Sequence, residues 1–233
     1  RLEITFISFV LLVTALIVGG VILAEGMHNG PSAAALQQVF VAEQQAVVAR
    51  IGDTPLSELP ALAAWRRAFS KFGVKPTQYR SACEALLRRL TKKGDIPSIN
   101  TLVDIGNIVS IRYALPVAVF DTRLLKGPLT VHFADGSERF TELDSDEVMH
   151  PEVGEVVFSD ETKRVYARRW CWRQSAESAA QDDTVDAIIT FEAQHDGGRG
   201  DVEQARDDLL TLLQEYAGGE FNPTILSVDC PGV

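Results

Sequence analysis

The stretch from Arg88 to Asp121 contains the change of pattern that most constrains the fold of this chain. Up to Pro116 its apolar residues recur at helical spacing, and polar residues are scattered over that apolar frame. The polar members are Asn100, Thr101, Asp104, Asn107, Ser110 and Arg112. After Pro116 a short apolar run indicates a strand. Amides and carboxylates on a half-buried helix must bind neighbouring groups or face a ligand, so this stretch is the first candidate site.

The order of helices before strands extends over the whole chain. Helical spacing dominates from about residue 31 to 115, and strand patterns dominate from about 116 to 233. The candidate helix caps in the first part are Ser32, Ser57 and Thr77. In the second part, Asp135-Gly136 and the polar segment from Ser159 to Thr162 each predict a β-hairpin. Clustered helices followed by hairpin-linked strands predict an α+β fold and not a doubly wound α/β fold.

The run from Ile4 to Ala24 carries no charged residue and has two interpretations. It is long enough to span a bilayer, and Arg1 precedes it, so hydropathy alone favours a membrane anchor. The alternative is a pair of buried strands, because the run is rich in Ile, Val, Thr and Phe. Gly19-Gly20 also interrupts it, as glycines do at bulges and close backbone approaches. The residues themselves leave both interpretations open.

Basic residues are concentrated in one segment of an acidic chain. The formal net charge is -10, which argues against binding of nucleic acid, DNA included, through bulk charge. Between Ala61 and Asp95, however, the sequence contains nine basic residues and only two acidic ones. The basic residues are Arg66, Arg67, Lys71, Lys75, Arg80, Arg88, Arg89, Lys92 and Lys93. Such a patch is typical of a surface that docks a polyanion locally, although solvated helix faces give the same pattern.

The sequence contains no recognisable motif for a metal, a nucleotide cofactor or a hydrolytic triad. Its three cysteines, Cys83, Cys171 and Cys230, are far apart, which fits buried thiols in a reducing compartment. Neither CxxC nor HxxxH spacing occurs, so we expect no metal. We also expect no cofactor, because the glycine-rich nucleotide motifs and the GxSxG nucleophile elbow are missing from the sequence.

Three stretches of the chain resemble one known family. Ala64–Leu90, Pro97–Asp121 and Gly154–Ser175 are similar, in order and spacing, to the tRNA-binding and editing module of the phenylalanyl-tRNA synthetase beta subunit. This module is the B-three/B-four domain, and the chain looks like its stand-alone form. Leu16–Gly30 is similar to the first strand and turn of that family. The resemblance therefore implies that the apolar start forms core strands, with no membrane span.

The resemblance implies a fold, a location and a function. The fold would be one three-layer β/β/α domain over residues 1–233, with mixed, largely antiparallel sheets and a helical N-terminal half. The protein would be cytoplasmic and would hydrolyse mischarged aminoacyl-tRNA in trans, with aminoacylated tRNA as its partner. Two alternatives stay open, a non-catalytic tRNA- or RNA-binding module and a small-molecule amino-acid binder. The oligomeric state is not implied.

The family motif also indicates candidate site residues. Those with an implied catalytic role are Asn100, Asn107 and Glu155. Those implied to bind the substrate are Asp104, Arg112, Tyr113, Asp160, Arg169, Trp170 and Trp172. For tRNA binding the candidates are Arg66, Arg67, Lys71, Arg80, Arg88, Arg89, Lys92 and Lys93. One position departs from the motif, since Ala118 stands where the synthetase carries a histidine, so the amino-acid specificity of the synthetase does not transfer.

Overall fold

A computed structural model describes residues 3–6, 17–143, 145, 147–227 and 230–233. Four of its helices precede Pro116, and one follows between the last two strands. They are α1 (Ala34–Ile51), α2 (Pro60–Lys71), α3 (Ala82–Lys93), α4 (Thr101–Tyr113) and α5 (Gly198–Tyr216). The helix-rich first part of the chain is therefore confirmed.

The strands form two main sheets and one small ribbon. Their bounds are β1 (Ile4–Phe6), β2 (Val18–Glu25), β3 (Val117–Asp121), β4 (Leu129–Phe133), β5 (Phe140–Thr141), β6 (Val148–Met149), β7 (Val156–Ser159), β8 (Val165–Arg168), β9 (Arg173–Gln174), β10 (Ala187–Ala193) and β11 (Glu220–Leu226). The inner sheet has the order β11-β2-β10-β3 and is antiparallel throughout. The outer sheet has the order β1-β4-β7-β8-β9, with β1 parallel to β4. Strands β5 and β6 pair only with each other.

The inner sheet lies between a helical layer and the outer sheet, and α2 also reaches the outer-sheet cluster through Trp65. Neighbouring residues of a strand point to opposite faces, and both faces of the inner sheet are buried. On β2, Ile22 packs in the cluster formed with the helices, whereas Val21 packs in the cluster formed with the outer sheet. On β10, Ile189 likewise packs in the cluster with the helices, and Ile188 packs in the cluster with the outer sheet. The predicted three-layer α+β fold is confirmed, with helices, inner sheet and outer sheet as its layers.

The apolar start of the chain forms strands wherever the structure describes it. Strand β1 lies at the edge of the outer sheet, and β2 lies inside the inner sheet. Residues 7–16 of the predicted strand region lie outside the described residues. A methyl group on Gly20 would meet the Phe191 ring at 2.0 Å, so this glycine permits a close packing contact. Among the described residues, no helix is long and apolar enough to cross a membrane.

The three predicted helix caps were wrong, for reasons that depend on distant contacts. The Ser32 hydroxyl donates to Asp104 on α4 at 2.6 Å, so it does not cap α1. Helix α2 begins at Pro60 without a side-chain cap, two residues beyond the start that a cap at Ser57 predicts. Helix α3 begins at Ala82, where the Ser81 hydroxyl accepts a hydrogen bond from the Glu84 amide at 3.4 Å.

One of the two predicted hairpins was wrong. The Asp135-Gly136 turn does not join paired strands, because β4 pairs with β1 and β7. Instead, the buried Glu138 carboxylate accepts from the amides of Asp135 and Gly136 at 3.0 Å each, which closes a tight loop. The hairpin from β7 to β8 is confirmed, with a register shift at Phe158 and Ser159.

Candidate functional site

Two polar residues of the α4 region bind neighbouring parts of the chain. Asn100 caps the helix by accepting from the Val103 amide at 3.1 Å, and it donates to the Ala180 carbonyl at 3.1 Å. Asp104 is fully buried and accepts from the Ile99 amide at 2.9 Å, as well as from two serine hydroxyls. Both side chains therefore tie loops to the start of α4.

The C-terminal half of α4 binds the neighbouring helices. Arg112 forms ion pairs with Glu43 of α1 and Asp208 of α5, at 2.5 and 2.7 Å, and these pairs raise its pKa above the ordinary value. The Tyr113 hydroxyl donates to Asp208 at 2.7 Å. Asn107 is half-buried on the same helix. The structure thus places all of these residues in the helical layer.

Glu155 directly precedes strand β7 of the outer sheet and forms a buried ion pair. Its two carboxylate oxygens each accept from the Arg168 guanidinium at 2.8 Å, and its side chain is only 3% exposed. It also accepts from the amides of Arg169 and Glu152. Asp160 is similarly occupied, because it accepts hydrogen bonds from the amides of Thr162 and Arg164 in the β7–β8 turn and from the amide of Lys126. The structure does not bring Glu155 or Asp160 together with the α4 residues.

A partly open cavity of about 60 Å³ lies between the two sheets, beside the edge strand β3. We call it the inter-sheet cavity. Its apolar lining includes Ala118, Phe120, Phe158, Ala167 and Trp170, and its polar lining includes Gln174, Thr190 and Glu192. Of the ten residues predicted for catalysis and substrate binding, only Trp170 and Trp172 line it. Helix α4 packs on the opposite face of the inner sheet, since Ile105 and Val109 belong to the helical core.

Glu192 supplies a buried carboxylate to the inter-sheet cavity. It is 2% exposed, and its Oε1 atom has no hydrogen-bond partner in the part of the chain that the structure describes. Burial raises the pKa of this carboxyl to about 8, although the Thr190 hydroxyl favours the ionised form. Thr190 and Glu192 share one face of β10 by strand alternation, so both can contact a bound molecule.

The turn from Arg169 to Trp172 borders the inter-sheet cavity. Arg169 and Trp170 have positive φ angles of 45° and 60°, which are uncommon for side chains of this size. Amide hydrogen bonds from Trp170 to Val156 and from Trp172 to Arg168 hold this conformation. It buries Trp170 between the sheets and leaves Trp172 half-exposed, with the Arg169 guanidinium 4.8 Å from the Trp172 ring. Strained backbone of this kind is concentrated at functional sites.

Two cysteines, Cys83 and Cys171, are neutral thiols. Cys171 lines the inter-sheet cavity, and burial raises its pKa well above the ordinary value, so it remains a neutral thiol. Burial likewise raises the pKa of Cys83 to about 12. Among the residues that the structure describes, no group of three or more His, Cys, Asp and Glu is arranged to hold a metal ion.

A basic groove adjoins the inter-sheet cavity. Its volume is about 520 Å³, and its lining residues include Arg80, Arg88, Arg89, Lys92, Lys93 and Arg173. Trp172 and Arg173 line both the cavity and the groove, so the two depressions meet at the same turn. The remaining predicted tRNA-binding residues lie elsewhere on α2, where Arg66 pairs with Glu84 and both Arg67 and Lys71 are exposed.

The sequence analysis missed Gln174, Thr190 and Glu192. One signal was available, because a carboxylate at the end of a predicted apolar strand is unusual unless it binds something. Gln174 is held by hydrogen bonds from its amide nitrogen to the carbonyls of Val119 and Ser178, at 2.7 and 2.8 Å. Its lining role depends on the contact between the two sheets, which strand periodicity does not reveal.

Comparisons with known proteins relate the chain to one synthetase subunit. The family model of the B3/4 domain matches residues 64–218. The phenylalanine–tRNA ligase beta subunit of Shewanella oneidensis is 31% identical over 87 residues, which cover 37% of this chain and 11% of that protein. The same subunit from Vibrio cholerae is 30% identical over 102 residues, which cover 44% of this chain and 13% of that protein. An N-terminal fragment of the phenylalanyl-tRNA synthetase beta subunit from Pyrococcus horikoshii gives a TM-score of 0.48 at 12% identity, covering 95% of this chain and 50% of that chain. The matched segment is therefore a small part of each curated relative.

Proposed function

The chain belongs to the B3/4 domain family, and from this premise we propose that it hydrolyses the ester bond of mischarged aminoacyl-tRNA in trans. The observation that carries the proposal is the meeting of the inter-sheet cavity with the basic groove at Trp172 and Arg173. A partly open cavity for an acyl group, beside a basic groove for phosphates, fits the aminoacylated end of a tRNA. The relation to a phenylalanine–tRNA ligase subunit supports tRNA as the partner, and we expect the protein to act in the cytoplasm.

The chemistry requires little beyond a positioned water molecule. An aminoacyl ester is already activated, so placement and proton transfer supply much of the acceleration. In the proposed reaction, ionised Glu192 accepts a proton from water while the water oxygen attacks the ester carbonyl carbon. The bond to the ribose oxygen then breaks, and that oxygen leaves with a proton. The products are a free amino acid and uncharged tRNA.

Replacing Glu192 with glutamine is expected to lower the rate of deacylation about 10²–10⁴-fold, because the amide cannot accept a proton from water. The measurement is release of labelled amino acid from mischarged tRNA, with the spontaneous rate subtracted at each pH. In the unmodified protein the remaining rate should rise with pH and level off above about pH 8, since burial raises the pKa of Glu192 to that value. If the protein accelerates deacylation of none of the mischarged tRNAs in a screen, the proposal is contradicted.

Asn107→Ala serves as the comparison for that experiment. A catalytic role for Asn100, Asn107 and Glu155 stays a prediction from the sequence, whereas the geometry favours Glu192. We therefore expect Asn107→Ala to retain the rate, because α4 lies across the inner sheet from the cavity. A large loss of activity in this variant, with an unchanged fold, would favour the helix as the site.

Reversing two charges in the basic groove is expected to weaken tRNA binding strongly. The double variant Arg88→Glu with Lys92→Glu alters two exposed groove residues one helical turn apart. Each lost phosphate contact should reduce the slope of log affinity against log salt by about 1, so the slope should fall by about 2. The matched control is Arg67→Glu with Lys71→Glu, which makes the same charge change on α2. Equal weakening by both pairs would show that only net charge matters.

A second candidate function is a non-catalytic tRNA- or RNA-binding module, which the basic groove alone would favour. Arg88, Lys92 and Lys93 are exposed cations on one helix, as a docking surface for phosphates requires. The two functions differ in their dependence on the acyl group. Binding that is identical for charged and uncharged tRNA, together with no deacylation, would select the binding module.

A further inference from the structure

Trp172 is an aromatic residue in a groove that is lined mainly by cations. We propose, on the basis of the proposed function, that Trp172 is a stacking platform for the terminal base of a single-stranded RNA 3′ end, which in a tRNA is the adenine of CCA. The phosphates of that strand lie in the basic groove, and the ester enters the inter-sheet cavity. The position of Trp172, its exposure and its fixed orientation carry this inference.

The position of Trp172 is the first argument. Trp172 lines both the basic groove and the inter-sheet cavity. In an aminoacylated tRNA a single ribose joins the terminal base to the ester. A base held at Trp172 therefore places the ester beside the cavity, while the preceding phosphates reach Arg88 and Lys92 in the groove. Proteins that bind single-stranded nucleic acid combine these two features, a basic groove and an aromatic side chain within it.

The exposure of Trp172 is the second argument. The chain has three tryptophans, and Trp65 and Trp170 are each only 1% exposed in the core. Trp172 is half-exposed, although folded proteins bury most of the surface of a tryptophan as a rule. An accessible indole beside cations offers a flat apolar surface, and a nucleobase can cover that surface through its own π-face.

The fixed orientation of the indole is the third argument. The Tyr79 ring lies edge-on to it, with centroids 4.9 Å apart and an interplanar angle of 83°. The Arg169 guanidinium is 3.9 Å from the centroid of Tyr79 and 4.8 Å from that of the indole. The Arg173 guanidinium lies 5.0 Å from the indole and forms an ion pair with Glu142. Cation–π contacts thus hold the ring in place, so it loses little freedom when a base stacks on it.

A purely structural role for Trp172 is the alternative. The Arg168 guanidinium lies 5.8 Å from the Trp172 ring, so the indole also covers the buried ion pair of Arg168 with Glu155. If covering this pair were its only role, the indole would contribute to stability, and RNA binding would not depend on the terminal base. The test therefore varies the base as well as the protein.

Two RNA minihelices without an attached amino acid test the proposal on the intact protein. Both have a single-stranded CCA end, but in one of them the terminal nucleotide lacks its adenine, so the phosphate charge is the same. We expect the probe with adenine to bind roughly 5–150-fold more tightly, the range for one base stacked on an aromatic side chain. Equal affinity for the two probes, or binding of neither, overturns the inference.

Tryptophan fluorescence locates the base in the same titration. Because Trp65 and Trp170 are buried, Trp172 is the tryptophan that a bound base can reach. We expect the probe with adenine to quench the emission and the probe without adenine to leave it nearly unchanged. A preference for adenine without any change in emission would place the base elsewhere and would overturn the assignment to Trp172.

Two variants separate stacking from packing. Trp172→Phe keeps an aromatic face and should keep part of the preference for adenine, whereas Trp172→Leu should lower the affinity ratio of the two probes to about 1. A folded Trp172→Leu protein that still prefers adenine overturns the inference. If this variant does not fold, the two probes and the quenching in the unmodified protein decide the question.

The matched control is Arg88→Glu with Lys92→Glu in the same groove. This pair should weaken the binding of both probes by the same factor, because the probes carry the same phosphates. Neither probe carries an ester, so the result does not depend on hydrolysis. A preference for adenine without deacylation of any tRNA contradicts only the proposed hydrolysis. Deacylation without a preference for adenine contradicts only the stacking.

Discussion

Glu155→Gln is expected to lower the free energy of unfolding by about 3–5 kcal/mol, because it leaves the Arg168 guanidinium buried without its carboxylate partner. The two side chains are 3% and 4% exposed, and they share two hydrogen bonds of 2.8 Å. Charge-assisted pairs with this geometry are among the strongest polar contacts in a protein. The measurement is chemical denaturation at neutral pH.

Two controls separate the buried ion pair from the loss of a charge. Glu152→Gln removes an 83% exposed carboxylate that lies 3.6 Å from Arg169, and it should change stability by no more than about 1 kcal/mol. Replacing both members, by Glu155→Leu with Arg168→Met, should recover much of the loss, because no charge is then left buried. A Glu155→Gln protein as stable as the unmodified one would contradict this assignment.

The same variant bears on the catalytic role that the sequence predicts for Glu155. If the role is structural, deacylation per folded molecule should be unchanged at a temperature where the variant is folded. A fall in that rate without a fall in stability would support a catalytic role for Glu155.

The layered fold followed from features that lie within single segments. Helical spacing up to Pro116 and strand patterns after it indicated an α+β fold, and the structure has this order. The turn after β7 was also predictable, since Asp160 accepts from the amides of Thr162 and Arg164, only a few residues away. Local hydrogen bonds leave a local sequence signal, which explains these successes.

The fate of the polar groups on α4 could not be predicted, because their partners are distant in the sequence. Asp104 binds Ser32, and Asn100 binds the carbonyl of Ala180, which lies 80 residues away. From the sequence alone, a buried carboxylate with three donors looks the same as one that faces a ligand. Ser32 does not cap α1 for the same reason, since its hydroxyl donates a hydrogen bond to the distant Asp104.

The inter-sheet cavity depends on a contact that no segment encodes by itself. Its lining comes from β3, β7, β8, β9 and β10, which meet only when the two sheets pack face to face. The basic patch was easier to anticipate, because Arg88, Arg89, Lys92 and Lys93 occupy one helix end. The family motif drew attention to Trp170 and Trp172, which line the cavity, yet it did not indicate Glu192.

Glu192→Gln is expected to stabilise the protein, by an amount that grows with pH. Burial raises the pKa of this carboxyl from 4.5 to about 8, so the folded protein binds a proton that the unfolded chain has released between those values. The stability of the unmodified protein should therefore fall as pH rises from 4.5 to 8. Summed over that window, the cost is on the order of 5 kcal/mol, which the uncharged amide avoids.

Denaturation midpoints of the two proteins at pH 5 and pH 8 measure this effect. The midpoints should be close at pH 5 and differ by about 10–20 °C at pH 8, given ~2–4 °C per kcal/mol for a chain of this size. Glu220→Gln, at an exposed strand position, should show no such dependence. Loss of stability at both pH values would mean that the carboxylate makes contacts that the fold requires.

Higher stability of Glu192→Gln combined with slower deacylation would have a different meaning. Removing a residue that only supports the fold does not make the protein more stable. That combination would identify Glu192 as a group kept at a cost to stability for its chemistry.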